Sequence, residues 1–220
     1  MTFTLPTTLT RTVFETTGIL YGAKGSVSID MKPFVKEVSV NGNPIFDPNT
    51  ILQRLDVVGR FIRASINPLI YATSNRFENA LKCFSEATKI PVLTRRFYAG
   101  TLSNPQMQYY RDCDVLIIPD PTNGLPVKIG DSLKWDRRAM AEASAMGIPV
   151  VAICNSDATL HDVDLCIPAN NVGAKAIATV FFCLCHSILS DTDAKIPPLE
   201  AFETVVEDES LYSPKESEQL

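Results

Sequence analysis

Short apolar runs alternate along this chain with stretches whose apolar residues recur every three or four positions. Leu69-Ile-Tyr-Ala, Val115-Leu-Ile-Ile and Ile148-Pro-Val-Val-Ala-Ile lack polar alternation, the pattern of strands buried on both faces. Leu165-Cys-Ile-Pro and the segment around Pro91-Val-Leu extend the series. Between them Ile51, Leu55, Val58 and Ile62 form one helical stripe, and Phe77, Ala80, Leu81 and Phe84 another that ends before Pro91. Asp47-Pro48 supplies an N-cap followed by proline at the first helical position. A short helix over Ala139–Ala145 stops at Gly147, which suits the left-handed residue that ends many helices. The last helix, about Val172 to Leu189, is apolar on most sides and is predicted to be buried. Its Cys183 and Cys185 then act as small core residues. This alternation predicts an α/β fold, a mainly parallel sheet sandwiched between helices.

Two segments fall outside that pattern. Pro121 to Leu133 carries the turn dipeptides Asn123-Gly124 and Gly130-Asp131 around Val127 and Ile129, as a small hairpin or an ordered loop would. The second segment is set apart by charge. The 220 residues carry a net charge of −5, yet residues 191–220 alone hold nine acidic and two basic side chains and the rest is slightly basic. A Pro-, Ser- and Glu-rich acidic tail buries too little apolar surface to fold alone. The expected organisation is one α/β domain over 1–190 and a tail over 191–220, disordered or docked on a basic partner through Leu199, Phe202 and Tyr212.

Composition narrows the chemistry further. With 45% hydrophobic and 20% charged residues, collagen-like, globally disordered and disulfide-scaffold classes are excluded. No apolar run reaches the roughly 18 residues of a membrane span, and the N-terminus lacks a secretory pattern. Six cysteines without a CxxC pair and two histidines predict cytosolic thiols and no zinc site. Gly18-Ile-Leu-Tyr-Gly22-Ala-Lys24-Gly25-Ser26 has neither phosphate-loop spacing and reads as a flexible loop. His161 sits among carboxylates with no nucleophile beside it, so pairing with a neighbouring Asp is expected, and His186 reads as a boundary residue. Asn155-Ser-Asp157 follows a strand where enzymes place catalytic groups, but such residues also close turns. Neither GxSxG nor HExxH occurs. The strand-end crevice bordered by Arg95, Asp120, Asn155 and Asp157 is therefore expected to bind no nucleotide. Basic residues group at Lys24, Lys32 and Lys36, at Arg95-Arg96, and at Lys134, Arg137 and Arg138. Arg95-Arg96-Phe97-Tyr98 mixes guanidinium donors with rings, which suits phosphate contact and base stacking.

Arg95-Arg-Phe-Tyr-Ala-Gly-Thr-Leu-Ser-Asn-Pro105 closely resembles the RF-x-PGT-[LF]-[ST]-N segment of the small-subunit ribosomal protein S-two family. The resemblance continues in order through Val115-Leu-Ile-Ile-Pro-Asp-Pro121, Asp136-Arg-Arg-Ala-Met-Ala-Glu-Ala-Ser144 and Gly147-Ile-Pro-Val-Val-Ala-Ile-Cys154. Asn155-Ser-Asp157, Val163-Asp164 and Ile167-Pro-Ala-Asn-Asn171 complete it, and Asp30-Met-Lys-Pro-Phe34 fits upstream. The archaeal and eukaryotic type, which includes the laminin-receptor precursors, fits best because the helical-hairpin insertion of bacterial members is missing.

The resemblance implies a flavodoxin-like three-layer sandwich serving as a structural constituent of the small ribosomal subunit between head and body. Such a protein is cytoplasmic and binds ribosomal RNA and neighbouring small-subunit ribosomal proteins. It is no enzyme, has no cofactor, metal, membrane or small-molecule substrate, and acts in translation. Contact residues on the matching motifs and basic groups would be Lys24, Lys32, Lys36, Arg95, Arg96, Thr101, Asn104, Arg137, Arg138, Asn170, Asn171 and Lys175. The chain departs from the family pattern at Leu20, where a His is usual, at Val172 and Ala174, at Phe181-Phe182 and His186, and by an insertion at 122–133. Two other readings stay open at this point. One is a small-molecule-binding or transferase enzyme on a Rossmann-like fold, since fold alone does not fix function. The other is a non-ribosomal interaction protein derived from the family.

Overall fold

The computed structural model describes residues 11–94, 96–122, 135–190 and 196–203. Helix α1 (Arg11–Thr17) leads into a two-stranded ribbon, β1 (Val35–Val38) and β2 (Pro44–Phe46), then α2 (Pro48–Ala64) and β3 (Pro68–Tyr71). There follow α3 (Glu78–Thr88), β4 (Val92–Leu93), β5 (Val115–Ile118), α4 (Trp135–Met146), β6 (Val150–Cys154), β7 (Leu165–Pro168) and α5 (Ala174–Leu189). Strands β3 to β7 form one all-parallel sheet in the order β4-β3-β5-β6-β7. Numbered from the first parallel strand this is 2-1-3-4-5, the flavodoxin-like doubly wound order. Apart from Thr122, the insertion at 122–133 lies outside the described residues, as does the chain beyond Glu203.

Period-two alternation within each strand builds two cores. Ile70, Val115, Ile117, Val151, Ile153 and Ile167 join the core beneath α2, α3 and α5. Leu69, Tyr71, Leu116, Ile118 and Val150 join a smaller one under α4 and the 97–113 segment. Among the described residues the sandwich is therefore lopsided: α2, α3 and α5 cover one face, whereas α4 and an irregular excursion cover the other. Helix α2 starts where Asp47 Oδ2 accepts from the Thr50 amide at 3.2 Å and from its hydroxyl at 2.9 Å. It buries the expected Ile51, Leu55, Val58 and Ile62, and Gly59 as well. Helix α4 extends beyond the expected Ala139–Ala145, and Gly147 follows it at φ +72°. Helix α5 is buried on nearly every side. Burial pushes the Cys183 thiol up to about 12 and raises that of Cys185 as well, as core thiols require.

One expectation needs correction. The Gly18–Ser26 segment is no flexible loop, because Ile19 and Leu20 are buried. The Gly22 amide donates to Pro44 at 2.8 Å. A Cβ on Gly22 would stand 2.6 Å from Ser156 Oγ and 2.8 Å from Pro44 Cγ, so only glycine fits there. Beyond residue 190, part of the chain packs on the domain itself. Leu199–Phe202 forms a 3₁₀ turn packed on α3 and α5. Phe202 is wholly buried, with its ring 5.9 Å from that of Phe182. Leu199 and Phe202, named above for docking on a partner, thus lie in a turn packed on the protein's own helices.

Candidate functional site

Ligands of doubly wound sheets sit beyond the carboxyl ends of the strands, at the point where strand order reverses. Here that point lies between β3 and β5, and the protein's own groups close it. Arg76, in the turn after β3, forms an ion pair with the buried Asp120 after β5. Asp120 Oδ1 also accepts from the Thr122 amide at 3.0 Å and its hydroxyl at 2.6 Å. Thr73 donates to the buried Asp136 carboxylate at 2.9 Å and 3.0 Å. That carboxylate lies in the first turn of α4, where the helix dipole favours negative charge. One strand further, Asn171 Nδ2 donates to the carbonyls of Pro119 and Ile153, both at 3.3 Å. Its side-chain amide thereby ties the ends of β5 and β6 together. Asn155 Oδ1 accepts from the Ala23 amide at 3.1 Å and the Ser156 amide at 2.8 Å, so the Gly18–Ser26 segment seals the next corner. Asn155 closes a turn, as expected, while Asp157 stays exposed. At the strand ends, Asp120, Asn155 and Asn171 therefore spend their side chains on the protein's own groups.

The chemistry that faces outward gathers on the other face, in the excursion between β4 and β5. Glu142 of α4 holds it by accepting from the amides of Gly100 (2.9 Å), Leu102 (2.9 Å) and Ser103 (3.0 Å) and from the Ser103 hydroxyl (2.9 Å). Three backbone donors converging on one carboxylate make a nest that fixes the loop. Thr101 clips its two arms together. Its hydroxyl donates to the Tyr98 carbonyl at 2.6 Å, while its own carbonyl accepts from the Arg111 amide at 2.8 Å. Tyr98 and Tyr109 consequently stack, with centroids 4.8 Å apart and planes at 15°. The Arg96 guanidinium lies over the Tyr98 ring at 5.8 Å, within cation–π range. These side chains and Arg111 border a cleft of about 480 Å³. Tyr71 and Phe97 form its floor, edge to face at 5.4 Å. Burial and the Asp136 carboxylate raise the Tyr71 hydroxyl pKa, so it stays neutral.

The sequence-predicted contact residues divide into three sets. Arg96 and Asn104 are exposed on the excursion, whereas Thr101 is buried within it. Lys24, Lys32, Lys36, Arg138 and Lys175 are exposed on other elements and do not converge on the cleft. Arg137 and Asn171 are both buried. The Arg137 guanidinium donates to the His161 carbonyl at 2.9 Å and lies 3.7 Å from Asp162, which anchors α4 to the β6–β7 loop. Thr101 likewise spends its hydroxyl inside the fold. Asn170 is half-buried, donating to the Gly18 carbonyl at 3.1 Å and accepting from the Val172 amide at 3.0 Å ahead of α5. His161 pairs with its neighbour Asp162 at 2.7 Å, as expected. Arg95 lies outside the described residues. Sequence reasoning missed Tyr109, Arg111 and Glu142. An aromatic and an arginine between turn residues were a visible signal for the first two.

A family model described as ribosomal protein S2 matches residues 129–190. The small ribosomal subunit protein uS2 of Nanoarchaeum equitans is 32% identical over 204 residues, covering 88% of this chain and 94% of that protein. The chain belongs to the ribosomal protein S2 family. The uS2 of Pyrobaculum arsenaticum, 33% identical over 186 residues, covers 80% of this chain and 83% of its own length. That of Nitrosopumilus maritimus is 31% identical over 203 residues, covering 89% and 92%. The closed strand-end corner and the Tyr98–Tyr109 excursion are thus features of a member of this family, and the archaeal relatives agree with the branch suggested by the motifs. Among the described residues no helix is long and apolar enough to cross a membrane.

Proposed function

We propose that this protein is a structural constituent of the small ribosomal subunit in the cytoplasm, seated between head and body and binding ribosomal RNA and neighbouring ribosomal proteins. The family membership, with near full-length coverage of uS2 relatives, carries the reading. The geometry supports it in two ways. The corner where a flavodoxin-like enzyme would hold its ligand is filled by Arg76, Asp120 and Asn171, which favours a scaffold without catalysis, cofactor or small-molecule substrate. The exposed lysines and arginines spread over several elements, as suits a protein that touches phosphate at many points.

Sedimentation through a sucrose gradient tests the reading. The native protein is expected with the small subunit at moderate salt and in the light fractions only at high salt. Recovery in the light fractions at every salt concentration would refute it. Arg96→Ala should reduce the slope of log affinity against log salt by about 0.7–0.9 if that side chain holds one phosphate.

A further inference from the structure

We propose that the cleft beside the Tyr98–Tyr109 stack seats a single unpaired RNA nucleobase, with Arg96 and Arg111 at its flanking phosphates. This rests on the RNA-binding role proposed above and names the part of the RNA concerned. Tyr98 and Tyr109 are 42% and 48% exposed although they stack on one another. Two large rings left half in water form a platform with uncovered apolar area. The floor is rigid, because Tyr71 and Phe97 are buried and packed edge to face. A volume of about 480 Å³ falls within the range of about 300–1,000 Å³ typical of small-ligand pockets and accommodates a base with its sugar.

Charge and preorganisation favour the same occupant. Arg96 and Arg111 both border the mouth. Arg111 is held there by the bond that its Nη1 donates to the Tyr110 carbonyl at 2.8 Å. Rings joined to guanidinium groups recognise splayed bases, whereas bases within an A-form duplex are stacked and out of reach. Stacking platforms of this kind tolerate any base, because each offers a π face. The Thr101 clip and the Glu142 nest hold the stack in place before RNA arrives, so little ordering is left to be done on binding.

The test uses the full chain, a labelled 12-nucleotide oligoadenylate and an RNA duplex of the same length, followed by fluorescence anisotropy. The single strand should bind more tightly than the duplex. Tyr109→Leu should weaken single-strand binding about tenfold or more with the salt slope retained, since stacking is lost and charge is not. Arg111→Gln should instead lower that slope by about 0.7, and Lys82→Gln on α3 should change neither. No measurable single-strand binding, equal affinity for the duplex, or an indifferent Tyr109→Leu would overturn the proposal. A photoreactive benzoylphenylalanine at position 109 should cross-link to RNA within small subunits, and a cross-link to protein would reassign the cleft to a protein neighbour. Normal oligonucleotide binding without subunit co-sedimentation would refute the ribosomal role alone. Co-sedimentation with an indifferent Tyr109→Leu would refute the nucleobase seat alone.

Discussion

Gly59 of α2 and Ser187 of α5 meet so closely that a Cβ on Gly59 would stand 1.9 Å from the Ser187 hydroxyl. Ser187 donates that hydroxyl to the Leu55 carbonyl at 3.1 Å, and Arg63 returns a bond to the Ser187 carbonyl at 3.0 Å. The two helices are thus bonded as well as packed, and neither backbone can retreat without giving up a contact. Gly59→Ala would gain about 1 kcal/mol of helix propensity. The clash should outweigh that gain and leave the protein less stable by about 1–3 kcal/mol, as for overpacked cores. Urea denaturation should show a lowered midpoint at constant slope, and an unchanged midpoint would mean that the helices can separate cheaply.

Phe202 shows how the post-domain segment contributes to the fold. It is wholly buried beside Phe182, and Cys83 Sγ donates to the neighbouring Ala201 carbonyl at 2.9 Å. Phe202→Ala should cost about 3 kcal/mol, the lower end for a buried phenylalanine, because a peripheral turn can collapse into part of the space. Amide exchange should also accelerate in α3 and α5 near the anchor. A variant with wild-type stability would return the segment to the solvated tail expected from its charge.

Glu142 is expected to control the excursion rather than the global fold. Glu142→Ala removes the acceptor of three backbone amides and one hydroxyl. Hydrogen bonds to a charged group contribute roughly 1.5–3 kcal/mol when deleted singly, but this carboxylate is partly exposed, so about 2 kcal/mol in total is expected. The distinguishing readout is local: the amides of Gly100, Leu102 and Ser103 should lose exchange protection while β5 and β6 keep theirs. Uniform loss across the sheet would mean that the loop and the core unfold as one unit.

The architecture could be read from the chain wherever the cause was local. Asp47-Pro48 with Thr50 starts α2, Gly147 follows α4, and the non-alternating apolar runs became the parallel strands. Features that depend on distant partners could not be read. Arg76 meets Asp120 44 residues away, and Glu142 meets Leu102 40 residues away, with nothing periodic linking either pair. Arg137 and Asn171 were named as contacts from their basic group and motif, and nothing local announced the distant partners, His161, Pro119 and Ile153, with which they are buried. The docking of Leu199–Phe202 on α3 and α5 was illegible for a different reason. Net charge averages over many residues, while docking needed only Leu199 and Phe202.

His186 gives the fold an acid sensitivity. Its ring packs edge to face on Phe182 at 4.6 Å, and burial holds its pKa below the ordinary value of 6.5. The unfolded chain therefore takes up the proton first as pH falls. Protonation then favours the unfolded state, so stability drops as pH decreases through about 6.5 and levels off below the folded pKa. Denaturant midpoints at pH 7.5 and 5.5 should differ less for His186→Leu than for wild type. An identical pH dependence in the two proteins would place the sensitivity on other groups.

Adding a nucleotide should leave the protein unaffected. The switch point between β3 and β5 offers the Arg76–Asp120 pair where a phosphate would need unspent donors, and Pro121 contributes no backbone N–H. The Asp120 and Asp136 carboxylates are both buried there, and a phosphate entering between them would meet repulsion before any amide. Occupancy would also require Arg76 to leave Asp120. Removing one partner of a buried ion pair costs about 3–5 kcal/mol, and somewhat less here because Arg76 is one-third exposed. That cost alone would reduce affinity by orders of magnitude. Millimolar ATP, GTP or NAD should therefore produce no change in melting temperature, whereas a ligand at ~100 times its Kd would add ~2.7 kcal/mol of stability. A saturable shift that disappears in Arg76→Leu would instead locate a nucleotide site at this corner and revive the enzyme reading.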